Sequence, residues 1–449
     1  MTKCNRQSVS FSRVRRRKIT ADFNGGRLTS DAGGLLLREA DRQLGLIASL
    51  AECIADPRDP AKITHDLRTL LAQRVFGIAL GYEDLNDHAT LRDDPLFAIL
   101  AEQRPDPEAP LGSPSTLCRF ENAITRRSQA RMADVFVEQF IASHKRPPKE
   151  LVLDFDPTDD RVHGNQEGRF FHGYYDSYCF LPLYVFCGDQ LLCAYLRPSN
   201  IDGAKHSRAI LKLLVKRLRR AWPKVRIIFR GDSGFCRWKL LRWCDHHDVG
   251  YVVGIARNKV LQRLADPFMD EAKKDFDKTN VKQRQFHEIT YGAKTWDRER
   301  RVVVKAEVLP KGPNVRFVVT NLPDQPEVIY DQRYTARGDM ENRIKEQQLG
   351  LFADRTSCQS FSANQFRLLL ASAAYVLIEH LRRVGLAGTK LAKAQVTTIR
   401  AKLFKIAARV TVSVRRIVFH LSSYSPYQQL FSLLVRRLTS RNATARAPT

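Results

Sequence analysis

Residues 151–158, LVLDFDPT, form an apolar run that two acids interrupt. The apolar positions predict a buried strand, and because side chains alternate across a strand, Asp154 and Asp156 should project from the same face. Pro157 has no amide hydrogen to donate and should end the strand. A buried carboxylate is normally paired or bound to a metal, because burying it alone is costly. A strand-end aspartate that caps the next turn is the alternative, and this stretch alone leaves both open.

Apolar positions upstream of this strand recur with helical spacing. They predict helices at 31–54, 62–79 and 113–124, with Ser30 or Asp31 capping the first helix and Ser115 or Thr116 the last. Arg119 is one of several arginines that give the last helix a basic character. A basic, polar arm over residues 1–20 precedes these helices. We predict that residues 1–148 form an N-terminal helical domain that binds DNA.

Downstream of the first strand, strand patterns alternate with helix patterns. Strands are predicted at 170–175, 178–187, 191–196, 225–229 and 251–255, and helices at 204–221 and 238–247. A strand meander followed by helix, strand, helix and strand is typical of a mixed α/β sheet. We therefore predict that residues 149–258 form the first part of an α/β core.

Residues 259–325 interrupt this layout. A charged helix at 260–278 and strands at 301–309 and 315–322 predict a β-rich insertion. Helices at 331–351 and 363–383 then predict the second part of the core, over residues 326–383. The last segment, 384–449, is a basic C-terminal region: from residue 381 onward the chain has 14 Lys/Arg and no Asp or Glu. Such a tail favours contact with a phosphate backbone or with the acidic face of a partner subunit.

The charge balance indicates what kind of partner the protein binds. Lys+Arg 74 against Asp+Glu 48 leaves a net charge of +26 on 449 residues. That surplus indicates a polyanion, most often nucleic acid, with an anionic membrane surface as the lesser option. The nine cysteines show no CxxC pattern and are typical of reduced thiols. The longest apolar run, 368–378, is shorter than the roughly 20 residues that span a bilayer, so we predict a soluble intracellular protein.

Two further segments carry candidate chemistry. Asp232 ends an apolar strand between glycines that would let a substrate approach closely. At about 100° per residue, one stripe of the helix that starts at Tyr334 holds polar side chains only; these are Tyr334, Arg337, Glu341, Lys345 and Gln348. A stripe facing a core would be apolar, whereas a solvated stripe would hold a weak Arg337–Glu341 pair. Gly338 costs about 1 kcal/mol of helix stability relative to alanine, which indicates a role other than stability.

The segments LDFDPT, RGDSGF and Y-x2-R-x3-E resemble the three catalytic segments of DDE transposases of bacterial insertion sequences. The resemblance is closest to the thirteen-eighty family, in the branch with the YREK signature and a β-insertion. It extends through HGNQEGRFFHGYYDSYCFLPLYVF, RIKEQQLGLFADRTS and SPSTLCRFEN, and so covers nearly the whole chain. It implies an RNase H-like core, divalent metal, and cut-and-paste transposition by a bacterial, cytoplasmic, nucleoid-associated enzyme.

The resemblance assigns roles residue by residue. Asp156 matches the first acid, because Thr158 completes the D-x-T pattern, and Asp154 is the runner-up. Asp232 matches the second acid and Glu341 the third. Tyr334 and Arg337 match the signature tyrosine and arginine.

The signature lysine is the one departure. Gln348 occupies its position, and Lys345, one turn earlier, is the other candidate for its charge.

The chemistry of phosphodiester cleavage explains these residue types. Two Mg²⁺ ions about 4 Å apart can activate water and stabilise the leaving oxygen, and Mn²⁺ is a possible substitute. Mg²⁺ prefers hard oxygen ligands, so the resemblance implies that Asp156 bridges the ions while Asp232 and Glu341 each hold one. Arg337 would grip a phosphate with its planar fork, and Tyr334 would bond beside it.

Two side-chain groups have alternative interpretations. Cys236, Cys244, His246 and His247 fit no common zinc spacing. Trp296 either stacks on an extruded base or packs the insertion.

The implied partners are double-stranded DNA, as element ends and as target, and a second copy of the chain on paired ends. One rival class is a non-catalytic, sequence-specific DNA-binding protein, but three gathered carboxylates would repel phosphate without metal. A nuclease that cuts without joining ends is the other rival.

Overall fold

The computed structural model describes residues 8–440. They form two units: a terminal unit, residues 8–124 with 373–440, and a sheet unit, residues 125–372.

Short strands and helices make up residues 8–124. They are β1 (Val9–Val14), β2 (Arg17–Ala21), β3 (Leu28–Thr29), α1 (Leu35–Leu44), α2 (Leu46–Glu52), α3 (Leu67–Leu80), α4 (His88–Leu91), α5 (Pro95–Leu100) and α6 (Pro114–Ala123). The single helix predicted at 31–54 is wrong, because Gly45 takes a left-handed φ of 63° and separates α1 from α2. The cap of α6 is Ser113, two residues before the nearer predicted cap, because the helix begins at Pro114; the Ser113 side chain accepts a hydrogen bond from the Thr116 amide.

The basic segment before α1 is a β-hairpin. β1 pairs antiparallel with β2, with Phe11 opposite Ile19. Every residue from 8 to 28 is exposed, so the hairpin makes little packing contact with the rest of the terminal unit. We call Val9–Ala21 the arm.

The sheet unit begins with α7 (Arg126–Ser143) and then alternates strands with helices. The strands are β4 (Glu150–Pro157), β5 (Asp160–Arg161), β6 (Phe170–His172), β7 (Ser177–Phe180), β8 (Leu183–Cys187), β9 (Gln190–Tyr195), β10 (Arg226–Gly231), β11 (Val249–Ile255), β12 (Gln283–Tyr291), β13 (Arg300–Leu309), β14 (Gly312–Pro313) and β15 (Arg316–Thr320). The helices are α8 (Ser207–Ala221), α9 (Trp238–His246), α10 (Lys259–Thr279) and α11 (Gly338–Lys345). The mixed α/β class predicted from the sequence is confirmed.

One large sheet organises this unit. Its strand order is β12-β13-β15-β11-β10-β4-β8-β9, with β14 beside β13. β4, β10 and β11 are parallel, whereas β8, β9 and β15 run antiparallel to their neighbours. Strands from the predicted insertion thus continue the central sheet. The carboxyl ends of β4 and β10 meet at one edge, which brings the two acidic strand ends together.

The two faces of β4 are buried differently. Leu153 and Phe155 pack into an apolar cluster that includes Phe229 of β10, whose ring lies 4.9 Å from that of Phe155. Val152, on the other face, packs against a smaller cluster that contains Ile329 and Tyr330. Asp154 and Asp156 share the face of Val152, as the alternation predicts.

The segment that covers this second face is helical but irregular. It consists of a π turn (Val328–Tyr334), a 3-10 turn (Thr335–Arg337), α11 and a second π turn (Glu346–Gly350). We call residues 328–350 the mixed helix. The helix predicted at 331–351 is present, but changes in winding mean that a constant 100° per residue does not describe its faces.

A small three-stranded sheet follows the first acid. Its order is β5-β7-β6, and all its pairs are antiparallel. The strand predicted at 178–187 is divided, because β7 ends before Pro182 and β8 begins after it.

The boundary between the units falls within α12 (Phe361–His380). The stretch Phe361–Gly385 is long and apolar enough to cross a membrane, but 89% of its most apolar window is buried inside the protein, as in a core helix.

The C-terminal residues up to 440 complete the terminal unit. They contain a π turn (Leu381–Gly385), α13 (Val396–Ile399), a π turn (Arg400–Phe404), β16 (Ala408–Val412), β17 (Ile417–Leu421) and α14 (Gln428–Thr439). β16 pairs with β3, placing Ala408 opposite Thr29. Leu434 and Leu438 of α14 are fully buried. The predicted basic tail is therefore, up to residue 440, a folded part of the unit that contains the N-terminal helices.

Candidate active site

The two acids of β4 have different partners. Asp154 is 3% exposed and forms a two-pronged ion pair with Arg230, whose Nη2 lies 2.7 Å from Asp154 Oδ2 while its Nε donates to Oδ1. The pair exists because β4 and β10 are parallel with Arg230 directly opposite Asp154. Charge-assisted bidentate pairs of this kind are among the stronger hydrogen bonds in proteins. Asp154 is therefore fully engaged.

Arg230 also reaches the mixed helix. Its Nη1 donates to the backbone carbonyl of Arg333 at 2.5 Å. Arg333 in turn pairs with Glu150 at the start of β4 and lies 3.6 Å from Asp324. This set of contacts fixes the residues just before Tyr334 over the sheet.

Asp156, two residues after Asp154, has one cationic partner. Its Oδ2 lies 3.4 Å from Nη1 of Arg337. Burial, opposed by the charge of Arg337 and assisted by the negative charges of Asp232, Glu341 and Asp154, raises the pKa of Asp156 to about 7. An acid with so high a pKa is poised between its charged and neutral forms near neutral pH.

Asp232 lies just past the end of β10. Its Oδ1 accepts a hydrogen bond from the Gly234 amide at 2.9 Å, so it caps the 3-10 turn Ser233–Phe235. Because β4 and β10 are parallel neighbours, Asp232 follows β10 at the same sheet edge at which Asp156 lies, near the end of β4.

Arg337 joins the mixed helix to this site. Its Nη2 donates to Glu341 Oε1 at 3.0 Å, while its Nη1 faces Asp156. One guanidinium therefore lies between the first and third acids. The nearby carboxylates raise the pKa of Arg337, with Asp156 contributing most among them, against the lowering effect of burial.

Tyr334 occupies a narrow space above β11. A Cβ added to Gly254 would lie 2.5 Å from the Tyr334 hydroxyl oxygen and 3.1 Å from the Ser233 amide nitrogen. Burial raises the pKa of Tyr334, the charge of Arg337 lowers it, and that of Asp232 raises it. Only glycine at position 254 leaves room for the hydroxyl beside the second acidic segment.

Gln348 and Lys345 have separate environments. Gln348 Nε2 donates to Asp160 Oδ1 at 2.8 Å and to the Asp159 carbonyl at 2.9 Å. Burial raises the pKa of Asp160 well above its usual value. The neutral amide of Gln348 is therefore a suitable partner for Asp160 at the position where the signature has a lysine. Lys345 is exposed.

The other two predicted DNA-binding residues lie elsewhere. Trp296 is half-buried between β12 and β13, with Tyr291 5.6 Å away and the Arg300 guanidinium 5.4 Å from its ring. Arg119 is exposed on α6 in the terminal unit, where it lines a cavity of about 530 Å³ together with Arg58 and Lys62.

Sequence reasoning missed Arg230 and Gly254. A signal for Arg230 was present, because it interrupts the apolar strand VRIIFRG as Asp154 interrupts its own. No local pattern marks Gly254, whose constraint comes from a tyrosine 80 positions later.

The carboxylates suit a hard divalent cation chemically, since they supply only oxygen ligands. Among residues 8–440, no group of three His, Cys, Asp or Glu side chains lies close enough together to hold a metal ion. This applies to Cys236, Cys244 and the adjacent histidines as well as to the acids. Asp156, Asp232 and Glu341 therefore fit as a donor set only if they draw closer and Arg337 moves from between two of them.

The chain is similar to one described family and, more weakly, to a solved structure. A family model described as transposase DDE domain group 1 matches residues 11–443. A cryo-EM structure of the piggyBac transposase synaptic complex with hairpin DNA is similar over 84% of this chain and 80% of that one, with 11% identity and a TM-score of 0.40. That degree of similarity carries no argument about function. No match was found among curated proteins.

Proposed function

The chain belongs to the transposase DDE domain group 1 family, and from this membership we propose that it binds the terminal inverted repeats of an insertion sequence and moves the element by cut-and-paste. The observation that carries the proposal is that the acidic ends of the parallel strands β4 and β10 lie side by side. There the guanidinium of Arg337 lies between Asp156 and Glu341. The segments that supply these acids are those that resemble the thirteen-eighty family and its YREK branch.

The proposed core is RNase H-like. The strand order β9-β8-β4-β10-β11, with three antiparallel strands followed by two parallel ones, supports it. We propose that residues 259–325 are an insertion into this core, although three of their strands extend its sheet.

Members of this family generally use divalent metal ions, and we propose two Mg²⁺, with Mn²⁺ as a substitute. Bound metal would supply a polarised water and a counter-charge for the leaving oxygen. Asp156, Asp232 and Glu341 would hold it through carboxylate oxygens. Arg337, freed from the carboxylates, would turn its guanidinium to a DNA phosphate, and the Tyr334 hydroxyl would donate beside it.

The net charge of +26 supports double-stranded DNA as the partner. We propose that residues 1–148, Arg119 among them, read the element ends, and that the basic C-terminal region contacts DNA or a second subunit. A homodimer on paired ends follows from the requirement that both ends be cut and joined together. The enzyme would act on DNA in the bacterial cytoplasm.

The experiment that tests this function separates binding, cleavage and joining. The DNA flanking the gene is first searched for inverted repeats bracketed by short direct duplications. The purified chain is then incubated with labelled ends, target plasmid and Mg²⁺, and the products are resolved on denaturing gels. The Glu341→Gln protein is the control, because it loses a carboxylate but no cation and should bind ends without cutting them.

The products distinguish a transposase, a nuclease and a DNA-binding protein without catalytic activity. Strand-transfer products that require both Mg²⁺ and Glu341 support the transposase. Cleavage without joined products indicates a nuclease. Specific binding without cleavage under any divalent ion indicates a DNA-binding protein that does not catalyse.

A further inference from the structure

An exposed aromatic surface follows the first acid in the chain. It lies on β6, β7 and the turn between them, and large side chains there remain open to solvent: Phe171 is 53% exposed, Tyr174 85% and Tyr178 49%. Tyr175 and His172 complete the group and are half-buried. We call these five residues the aromatic face; they form two ring groups, Phe171 with Tyr178 on the strands, and His172, Tyr174 and Tyr175 at the turn. Large rings left open to solvent in this way often mark a binding surface.

The sheet register holds the rings in place. Phe171 lies directly opposite Tyr178, with ring centroids 5.6 Å apart. The turn adds Tyr175, whose ring is 4.9 Å from His172 and 5.0 Å from Tyr174. Because the strand register already aligns the rings of Phe171 and Tyr178, these side chains lose less conformational entropy on binding than separate flexible side chains would.

The aromatic face lies near the proposed catalytic acids. Burial raises the pKa of Tyr175, and the charges of Asp159 and Asp156 raise it further. The tyrosine is therefore within electrostatic reach of the first acid. Through β5 and β7, the small sheet is also joined to the segment that follows Asp156.

Charges around the face distinguish between possible ligands. The guanidinium of Arg169 lies 4.6 Å from the centre of the Tyr178 ring, and a cation held in this way favours a π-system or a phosphate beside it. Asp176 follows Tyr175 in the turn, and the negative charge of Asp159 also acts on Tyr175. A duplex presents phosphates to a surface and hides its base faces, so these acids disfavour it, whereas the uncharged faces of unstacked bases suit exposed rings.

We propose that the aromatic face binds unpaired bases of a DNA strand beside the cleavage site, with Arg169 contacting the adjoining phosphate. The inference rests on the proposed function and adds a single-stranded subsite to it. Every DNA base has a π-face, so the subsite should tolerate most sequences while discriminating unpaired from paired DNA. A second copy of the chain covering the same rings is the competing occupant.

The test measures binding without chemistry. Two labelled DNAs of identical sequence are used with the full chain in EDTA: a fully paired duplex, and the same duplex opened by a central stretch of mismatches. Dissociation constants are measured by fluorescence anisotropy for the wild type, Tyr174→Ala and Phe171→Leu. Tyr424→Ala is the matched control, because Tyr424 is a 95% exposed tyrosine in the terminal unit.

We expect the wild type to bind the opened DNA more tightly than the duplex. Each aromatic variant should weaken binding to the opened DNA about tenfold, with duplex binding and the melting temperature unchanged. The control should match the wild type for both DNAs.

Three results would overturn the inference in distinguishable ways. If the wild type binds neither DNA, both the proposed function and the subsite are contradicted. If it binds both DNAs without preference, or if both variants keep its preference, the subsite alone is contradicted. If the variants instead change the molecular mass in sedimentation while preserving the preference, the face is a contact between copies.

Discussion

Arg230 neutralises both carboxylate oxygens of Asp154, and so Asp154 and Asp156, which share one face of one strand, have different chemistry. Asp154 forms a bidentate ion pair, whereas Asp156 contacts a guanidinium that it shares with Glu341. The structure thereby supplies a physical reason to separate the two aspartates, which the sequence left as first choice and runner-up.

The first prediction concerns this pair. Asp154→Asn leaves Arg230 buried without its counter-charge and should lower the free energy of unfolding by about 3–5 kcal/mol, measured by urea denaturation. Cleavage activity below the melting temperature should persist in part. Asp156→Asn should abolish cleavage.

A double variant provides the control. Adding Arg230→Met to Asp154→Asn removes the unpaired charge and should recover part of the stability. If Asp154→Asn proves as inactive as Asp156→Asn while remaining equally stable, then Asp154 contacts metal or substrate.

The second prediction is a pH dependence. In the folded protein, burial raises the pKa of Asp156 from 3.8 to about 7. Between these values the unfolded state has lost its proton while the folded state keeps it, so this group's contribution to stability declines as pH rises and is fully lost above about pH 7. The decline is about 4 kcal/mol, at about 1.4 kcal/mol per pH unit.

Asp156→Asn should therefore raise the unfolding free energy of the metal-free protein at pH 8 and have little effect at pH 4. Thermal and urea denaturation at both values check this. Glu341→Gln is the comparison, since the carboxylate of Glu341 is far more exposed than that of Asp156. Equal effects of Asp156→Asn at both pH values would contradict the raised pKa.

The third prediction concerns the guanidinium between the acids. Arg337 lowers the pKa of Asp156, so Arg337→Gln should move the pH midpoint of Mn²⁺ binding upward. Isothermal titration calorimetry from pH 6 to 9 measures the midpoint. Arg337→Lys keeps the charge and should shift it less. A midpoint that moves downward would show that Arg337 chiefly competes with metal.

The fourth prediction compares two glycines. Gly254→Ala places a methyl group against the Tyr334 hydroxyl and the Ser233 backbone, and should lower stability by about 1–3 kcal/mol and cleavage more than tenfold. Gly338→Ala meets nothing within 4 Å and should raise stability by about 1 kcal/mol. Unfolding curves and single-turnover cleavage assays measure both. Equal loss of cleavage in the two variants would mean that Gly338 also leaves space for substrate.

The fifth prediction concerns the arm. If Arg15, Arg16 and Arg17 each neutralise one phosphate, replacing all three with glutamine should reduce the slope of log affinity against log salt by about 2.7. Gel shifts over rising salt measure the slope. Replacement with lysine keeps the charges and should preserve it. An unchanged slope in the glutamine variant would show that the arm does not contact DNA.

The sequence predicted what depends on local patterning. Alternation and Pro157 located β4 and its two acids, and the polar stripe included Arg337, which contacts Asp156. The stripe did not describe one face, because Lys345 is exposed and Gln348 bonds to Asp160. The sequence could not predict the Asp154–Arg230 pair, because that contact depends on the register of two parallel strands 76 residues apart. It also missed β12 and the two strands of the arm, where charged residues obscure the strand alternation. The break at Gly45 was missed because the apolar pattern continues through it.

The pairing of β3 with β16 has a consequence for the order in which the protein is made. Thr29 and its partner Ala408 are separated by nearly the whole chain, and the amide of Ala32 donates to the carbonyl of Ile406 at 3.0 Å. During synthesis the sheet unit can fold before β16 has been made. The N-terminal helices cannot complete their unit until β16 and the residues after it leave the ribosome. A messenger cut short before β16 would therefore yield a product with the proposed catalytic acids but without a finished terminal unit.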